Sequence, residues 1–505
     1  MRRLITGLVL LGTLTLDGAT VDLQVEAPSY IGQQATLYRY LDLFTRRLAP
    51  LARGVVDHQG GIHLQAEVNG TEKALLLVGS TGADLWLRHG TYHVQMPAPP
   101  ADQVQTLAAT ARVELTFLDL DHLDVNALVG DLNARLDAFL AADLATDDRA
   151  GMMAVDRLRS GMEAPVADTA RSTRRPYVSP VWGEARVDSF AAKLEKFYQG
   201  VDDTWFRHDA EYGIAGLYLG PKANERKLFD RFLKGKPVLY DVPEYVRFFS
   251  AFHENFLLRT SFRSHTETLQ RNLREGRTDS LKALLAQNDF LRDDRINELV
   301  LITNLYVNHA HPDLDKNGIL KVLADVRDRS IYPEHRQIAA NMIWDLTAGG
   351  KGQRLPTAEL TDDRGVPVDW NKLQQGYSCI LVTKPGNPYN DKEIMAMDKL
   401  VREYGDLVRF QYVVLDRSAE ELADWRKANA QYAGNWCRPN DQRELLDQWR
   451  TRSAPALYVL HDGILETQPG LLPSQGLAAI LHKVRTAAER DRQLKRDRGL
   501  PPPRR

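Results

Sequence analysis

At 505 residues, 43% hydrophobic and 26% charged, the chain has ordinary globular composition and the length of about three domains. Its 65 basic side chains nearly cancel 67 acidic ones, and a net charge of −2 argues against nucleic-acid binding as a property of the whole chain.

The first predicted element is a leader. Arg2 and Arg3 precede an apolar run, Leu4 to Leu16, closed by Asp17-Gly-Ala19, which is the pattern of a secretory signal peptide over 1–19. A buried N-terminal strand or helix is the alternative. No cysteine follows the apolar run to carry a lipid, and no later segment reaches about 18 uninterrupted apolar residues. The expected mature protein therefore has no transmembrane segment and resides in an exported, oxidising compartment.

From 20 to 99, short strand-like runs alternate with Gly, Asn and Asp punctuation, and Gly54 to Gly61 and Val68 to Thr71 read as turns. A β-sandwich-like domain is the natural solution. Asn69-Gly-Thr71 also satisfies a glycosylation sequon, read here as a hairpin turn. The segment 100–187 opens at the linker Pro97-Ala-Pro-Pro100 and adds a strand, Ala111 to Leu118, and an amphipathic helix, Leu123 to Leu144. Ala145 to Arg186 has weak periodicity and reads as a mobile insertion.

A helical domain over 188–350 follows, with Pro237, Pro243, Pro312 and Pro333 at breaks or first turns. Phe248, Phe249, Phe252, Phe256 and Leu257 form an apolar stripe, which packing explains better than a ligand groove does. Asp313-Leu-Asp-Lys-Asn-Gly318 begins like a calcium-binding loop, but its ninth and twelfth positions are Lys321 and Ala324. It reads as a turn with a helix cap. Two distant cysteines and no His-x-x-His cluster give no metal-binding spacing, and no phosphate loop, nucleophile elbow or dinucleotide glycine pattern calls for a cofactor.

In 355–484, Ser378 to Thr383 predicts a buried strand broken by Lys384-Pro-Gly386. Asn390 and Glu393 have N-cap and N3 spacing before Ile394, Met397, Leu400 and Val401 at helical period. A strand (Val408 to Leu415), a helix (Ala419 to Ala430), a strand entered through Pro455, a hairpin at His461-Asp-Gly463 and a helix capped by Ser474 complete the series. A basic, Pro-rich tail, 485–505, ends the chain.

That order, with the lead-in Leu355-Pro-Thr-Ala-Glu-Leu-Thr-Asp-Asp-Arg-Gly365, resembles the thioredoxin-like redoxins of the TlpA/ResA type. Tyr30-Ile-Gly32, Tyr40-Leu-Asp42, Gly61 to Glu67 and Pro237 to Phe249 look like the large secreted multidomain redoxin-like proteins of Gram-negative envelopes. The resemblance implies a multidomain α+β protein with an N-terminal β-sandwich, a helical middle domain and a C-terminal thioredoxin-like α/β domain, most simply periplasmic. It makes Pro455 the family's cis-proline, after Ala454, and puts Asn387 and Asn390 where the family carries Cys-x-x-Cys.

Asparagine supplies no thiolate, so this site is degenerate for thiol-disulfide exchange. A surface of Pro388, Tyr389, Trp436, Ala454 and Pro455 could instead bind an extended peptide or an envelope protein client. Unpaired N–H groups at the helix start would contribute. The simpler alternative makes Asn387 and Asn390 turn and cap residues only. Two further alternatives are a thiol enzyme using Cys437, and a recognition module in the sandwich. Cys379 and Cys437 are the only cysteines, and two buried small side chains are favoured over a disulfide.

Overall fold

The computed structural model describes residues 19–98, 111–159, 184–220, 223–467 and 470–497. Residues 1–18 of the expected leader, part of the proline-rich linker, residues 160–183 of the expected insertion and the end of the basic tail lie outside them. Contacts divide the chain into two compact units, one reaching Asn341 and the other running from Met342.

The first unit opens with nine strands: β1 (Ala19–Glu26), β2 (Gln34–Tyr40), β3 (Leu48–Val55), β4 (Gly61–Val68), β5 (Glu72–Val78), β6 (Thr81–Leu87), β7 (Gly90–Gln95), β8 (Ala111–Arg112) and β9 (Thr116–Phe117). They form two sheets, in the orders β4-β1-β7-β9 and β3-β2-β5-β6-β8. Side chains alternate across a strand, so Val21, Leu23 and Val25 of β1 and Leu64, Ala66 and Val68 of β4 face inward. There they meet Ala35 and Leu37 of β2 and Ala74, Leu76 and Val78 of β5 in one apolar core. β5 breaks the alternation because it is dry on both sides, with Leu75 and Leu77 packed on Tyr38 on the opposite face. Trp86, directly across from Lys73 on that same face, joins the apolar core of the helices.

Hydrogen bonds fasten the sheets to the helices within this unit. Asn126 accepts from Trp86 N (2.7 Å) and donates to Trp86 O (2.9 Å), Arg88 pairs with Asp203, and Asn341 donates to Asp42 Oδ2 at 2.6 Å. The helix predicted over 123–144 runs further, as Val125–Arg159. Ala, Leu, Met and Arg in 145–159 are strong helix formers, and their propensity carries the helix where the apolar period fades. The calcium-loop-like sequence is a capped helix start: Asp315 Oδ2 accepts from Gly318 N at 2.6 Å and begins the helix Lys316–Arg329. A Cβ on Gly318 would lie 2.2 Å from Leu273 O, so only glycine permits that approach. Phe248, Phe249, Phe252, Phe256 and Leu257 are all buried, as packing residues should be.

The second unit is built on β10 (Leu360–Asp362), β11 (Tyr377–Thr383), β12 (Val408–Val414), β13 (Asn435–Pro439), β14 (Ala456–His461) and β15 (Ile464–Thr467), ordered β10-β13-β12-β11-β14-β15. β11, β12 and β13 are mutually parallel, β14 runs antiparallel beside β11, and β15 pairs antiparallel with the outer side of β14. β11 reads as a continuous apolar run because both its faces are covered. Cys379 and Leu381 pack with Ile394 and Met397 of the helix Pro388–Tyr404 and with Leu477 and Leu481 of the last helix. Ile380 and Val382 pack with Trp449, Tyr458 and Leu460 on the other side.

Candidate functional site

The loop leaving β11 and the helix after it hold most of the residues singled out from the sequence. Lys384-Pro385-Gly386 turns the chain, with Gly386 at φ 95°, a left-handed conformation suited to glycine. Asn387 is the N-cap, and its Oδ1 accepts from Tyr389 N (3.0 Å) and Asn390 N (3.4 Å). This corrects the predicted start at Asn390. Pro388 at the first helical position has no N–H to satisfy and a φ already set for the helix. It also corrects the expectation of unpaired N–H groups at this end, since the cap engages those of Tyr389 and Asn390.

Asn390 is 3% exposed and works as an internal clamp. Its Oδ1 accepts from Lys384 N at 2.9 Å and from Thr383 Oγ1 at 3.2 Å, and its Nδ2 donates to Ala454 O at 3.5 Å. One carboxamide thus joins the end of β11 to the loop that enters β14, where the Ala454-Pro455 peptide bond is cis. One turn on, Glu393 is fully buried and accepts from Ser474 N at 2.9 Å and from Ser474 Oγ. Ser474 therefore lies in a short 3₁₀ turn, Pro473–Gln475, and does not cap the last helix, which begins at Leu477. Asp391 Oδ1 accepts from Gly386 N at 2.9 Å, Lys384 pairs with Asp416, and Arg417 donates to Pro385 O at 3.1 Å.

Asn387, Pro388 and Tyr389 stand exposed on this framework, and Tyr389 is 52% exposed. Ala454 is half-buried and Pro455 buried. Trp436 lies apart from them. It sits on β13, only 2% exposed, with its ring stacked 3.9 Å from that of Tyr412 and the Arg426 guanidinium 5.1 Å away, so it walls no cleft. Sequence reasoning missed Thr383, Lys384 and Ser474 as partners of the helix start. The Asn-x-x-Glu spacing was visible, but Ser474 is 81 residues from the carboxylate it serves.

Neither thiol is placed for chemistry. Cys379 and Cys437 are free, fully buried and packed into the cores on opposite faces of the sheet. Burial pushes the Cys379 thiol up to about 12 and holds the Cys437 thiol well above its ordinary value. A nucleophilic cysteine needs the reverse, a lowered pKa and solvent access. Cys437 Sγ instead donates to Tyr412 O at 3.4 Å. Among the described residues, no group of three or more His, Cys, Asp or Glu side chains is placed to hold a metal ion. No helix among them is long and apolar enough to cross a membrane.

A parallel β–helix–β unit, then a helix, an antiparallel pair of strands and a closing helix on the first helix's face make the second unit a thioredoxin-like α/β fold. Solved structures similar to this chain include a thioredoxin-like protein from Bacteroides caccae, at 12% identity over 48% of this chain and 93% of that one, TM-score 0.26. The thioredoxin domain of a thiol-disulfide oxidoreductase from Bacteroides vulgatus is similar at 18% identity over 23% of this chain and 85% of that one, TM-score 0.22. A thiol:disulfide interchange protein from Bacteroides sp. is similar at 18% identity over 23% and 80%, TM-score 0.22. No protein-family model matches the chain, and no curated protein matches it.

Proposed function

We propose that this is an exported, periplasmic protein whose thioredoxin-like unit binds an extended peptide or an envelope protein client without redox chemistry. On this reading Asn387 and Asn390 stand where the redoxins carry their cysteine pair. Asn387, Pro388, Tyr389 and the backbone at Ala454 and Pro455 form the contact surface, and Trp436 serves the core beneath. The observation that carries the reading is the Asn390 clamp: its carboxamide is committed on both sides to Lys384, Thr383 and Ala454, at a helix start that holds no sulfur. The burial of both thiols weighs against the rival in which Cys437 acts as a nucleophile.

The test has two arms, both on the purified full chain. Insulin reduction with an external thiol should show no turnover, and both cysteines should react with a thiol reagent only after denaturation. Dye-labelled, S-alkylated insulin B chain, used as an extended peptide, should bind saturably, and Tyr389→Ala should weaken it about tenfold, as loss of an exposed aromatic contact does. Rapid native labelling of Cys437, with turnover abolished in Cys437→Ser, would sink the proposal.

A further inference from the structure

The helix Pro243–Phe252 carries much of the first unit's aromatic core, with Tyr245, Phe248, Phe249 and Phe252 all buried. His253 ends that helix as its C-cap and has no exposed surface of its own. Its Nδ1 lies 2.9 Å from Phe249 O. A carbonyl only accepts, so Nδ1 carries the hydrogen and Nε2 of the neutral ring is a bare acceptor. Nε2 is buried and receives no hydrogen bond. The rings of Phe249, Phe252 and Phe256 surround the imidazole with centroids 4.4, 4.9 and 5.7 Å away.

A second proton on this ring would find no partner. Phe290, from the turn Asp289–Leu291, packs on Phe252 and Phe256, and Asn304, from the helix Asp294–Val307, is neutral. The charged group that faces His253 is Arg259, which has the sign of a protonated imidazole and is itself paired with Glu225 at 2.7 Å. The backbone beyond His253 is irregular. Asn255 has a left-handed φ of 53°, a π-helical turn follows at Leu257–Phe262, and His265 departs from helical geometry inside the next helix. Asn304 holds this corner: its Nδ2 donates to His253 O and its Oδ1 accepts from Leu257 N, both at 3.0 Å.

We infer that His253 is an acid-released latch for the corner 253–262: protonation drives the imidazole out of the aromatic core, and the Asn304 bridge and the π-helical turn open with it. A charged ring left in place would bury both a positive charge without a counter-ion and an N–H without an acceptor. The ring lies wholly inside, so it reaches water only if the corner opens, and that movement breaks both bonds to Asn304. In keeping with this packing, burial brings the imidazole from its ordinary 6.5 down to about 3 in the folded chain. A base with a lowered folded-state pKa gives stability that is complete above the unfolded value. That stability is lost as pH falls from 6.5 toward about 3. The latch is therefore shut at neutrality and slackens in acid.

Hydrogen exchange read by mass spectrometry on the full chain tests this, with His253→Phe as the reference, because a phenyl ring suits the aromatic site and takes no proton. Phe249 O keeps a partner in that variant, since the backbone N–H of residue 253 also donates to it at 3.1 Å. The ratio of wild-type to variant exchange over 253–262 cancels the intrinsic effect of pH and the titration of other buried groups. It should rise about twentyfold between pH 7 and pH 5, as expected when pH falls about 1.5 units below the unfolded pKa. A ratio that stays constant within about twofold would overturn the inference. Should His253→Phe not fold, His253→Gln, which is equally unable to titrate, serves as the reference, and the same constant ratio overturns it.

Discussion

The two units each contain a buried polar hub that fastens separate stretches of chain, but one hub is charged and the other is neutral. In the first unit, Glu298 accepts from His335 Nδ1 at 2.8 Å, Lys282 Nζ at 3.0 Å and Ser330 Oγ. His335 passes the connection on through Nε2 to Tyr240, 2.6 Å away, and Arg295 donates to the same hydroxyl at 3.0 Å. In the second unit, Asn390 joins three backbone and side-chain groups with a carboxamide alone. The difference teaches what each unit can sense. A charged hub responds to protons, because its strength depends on the ionisation of its members. An amide hub has nothing to titrate and holds its geometry at any pH where the domain is folded.

The largest effect expected is that of His335→Ala, which strips two partners from a site with no solvent access and leaves the Glu298 carboxylate short of a donor. Urea unfolding should show a loss of about 3–5 kcal/mol, the usual consequence of breaking a buried charged network from one side. A loss under about 1 kcal/mol would mean that Lys282 and Ser330 suffice, and the hub would lose its meaning as a unit.

Next in size is the acid response. Burial works to raise the Glu298 carboxyl, and hydrogen bonds from His335, Ser330 and Lys282 outweigh it, bringing the group from 4.5 to about 2. A lowered folded-state pKa supplies stability above the unfolded value that is lost as pH falls through the folded one, so the first unit should weaken between about pH 5 and pH 2. Each tenfold change in proton affinity between the folded and unfolded chain is worth about 1.4 kcal/mol, which makes the loss about 3 kcal/mol. Glu298→Gln should flatten that slope, and stability measured across the acid range checks it. In the same unit burial first, and the Glu244 charge second, raise the buried Asp209 carboxyl from 3.8 to about 7, so its sign is reversed, and the pair should leave the first unit most stable in mild acid.

The smallest effect sharpens the neutral side of the comparison. Asn390→Ala removes one carboxamide and leaves Lys384 N without its acceptor, which should cost about 1–3 kcal/mol. The deficit should be the same at pH 5 and pH 8, as read by hydrogen exchange in β11. A deficit that grows with pH would place a titrating partner at this hub.

Much of this architecture was legible in the chain. Strand-like runs set between Gly, Asn and Asp turns marked the sheets of the first unit, and the apolar run Ser378 to Thr383 marked the buried strand β11. The series of elements from Leu355 to Val484 pointed to the right α/β unit. What stayed hidden were choices between equals and partners distant in sequence. Asn387 and Asn390 are the same residue three positions apart, and only the proline between them, best placed at the first helical position, favours the earlier start. Ser474 looked like a cap because serine caps helices, but a buried glutamate elsewhere had the stronger claim on it. Trp436 looked like a cleft wall because aromatic rings line clefts, though they fill cores more often. The Glu298 hub gathers Lys282, Ser330 and His335 from three separate helices or turns, and no local pattern announces such a gathering.

Strand β5 sets a limit on dissecting the molecule. The proline-rich stretch near residue 100 invites a cut that would release β1 to β7 as a free module, without β8 and β9. Such a fragment would strip Trp86 of the helices it packs against and leave that ring bare beside Tyr38, Leu75 and Leu77 on the same face of the sheet. It should self-associate when expressed alone and become monodisperse only when the helices from Val125 onward travel with it.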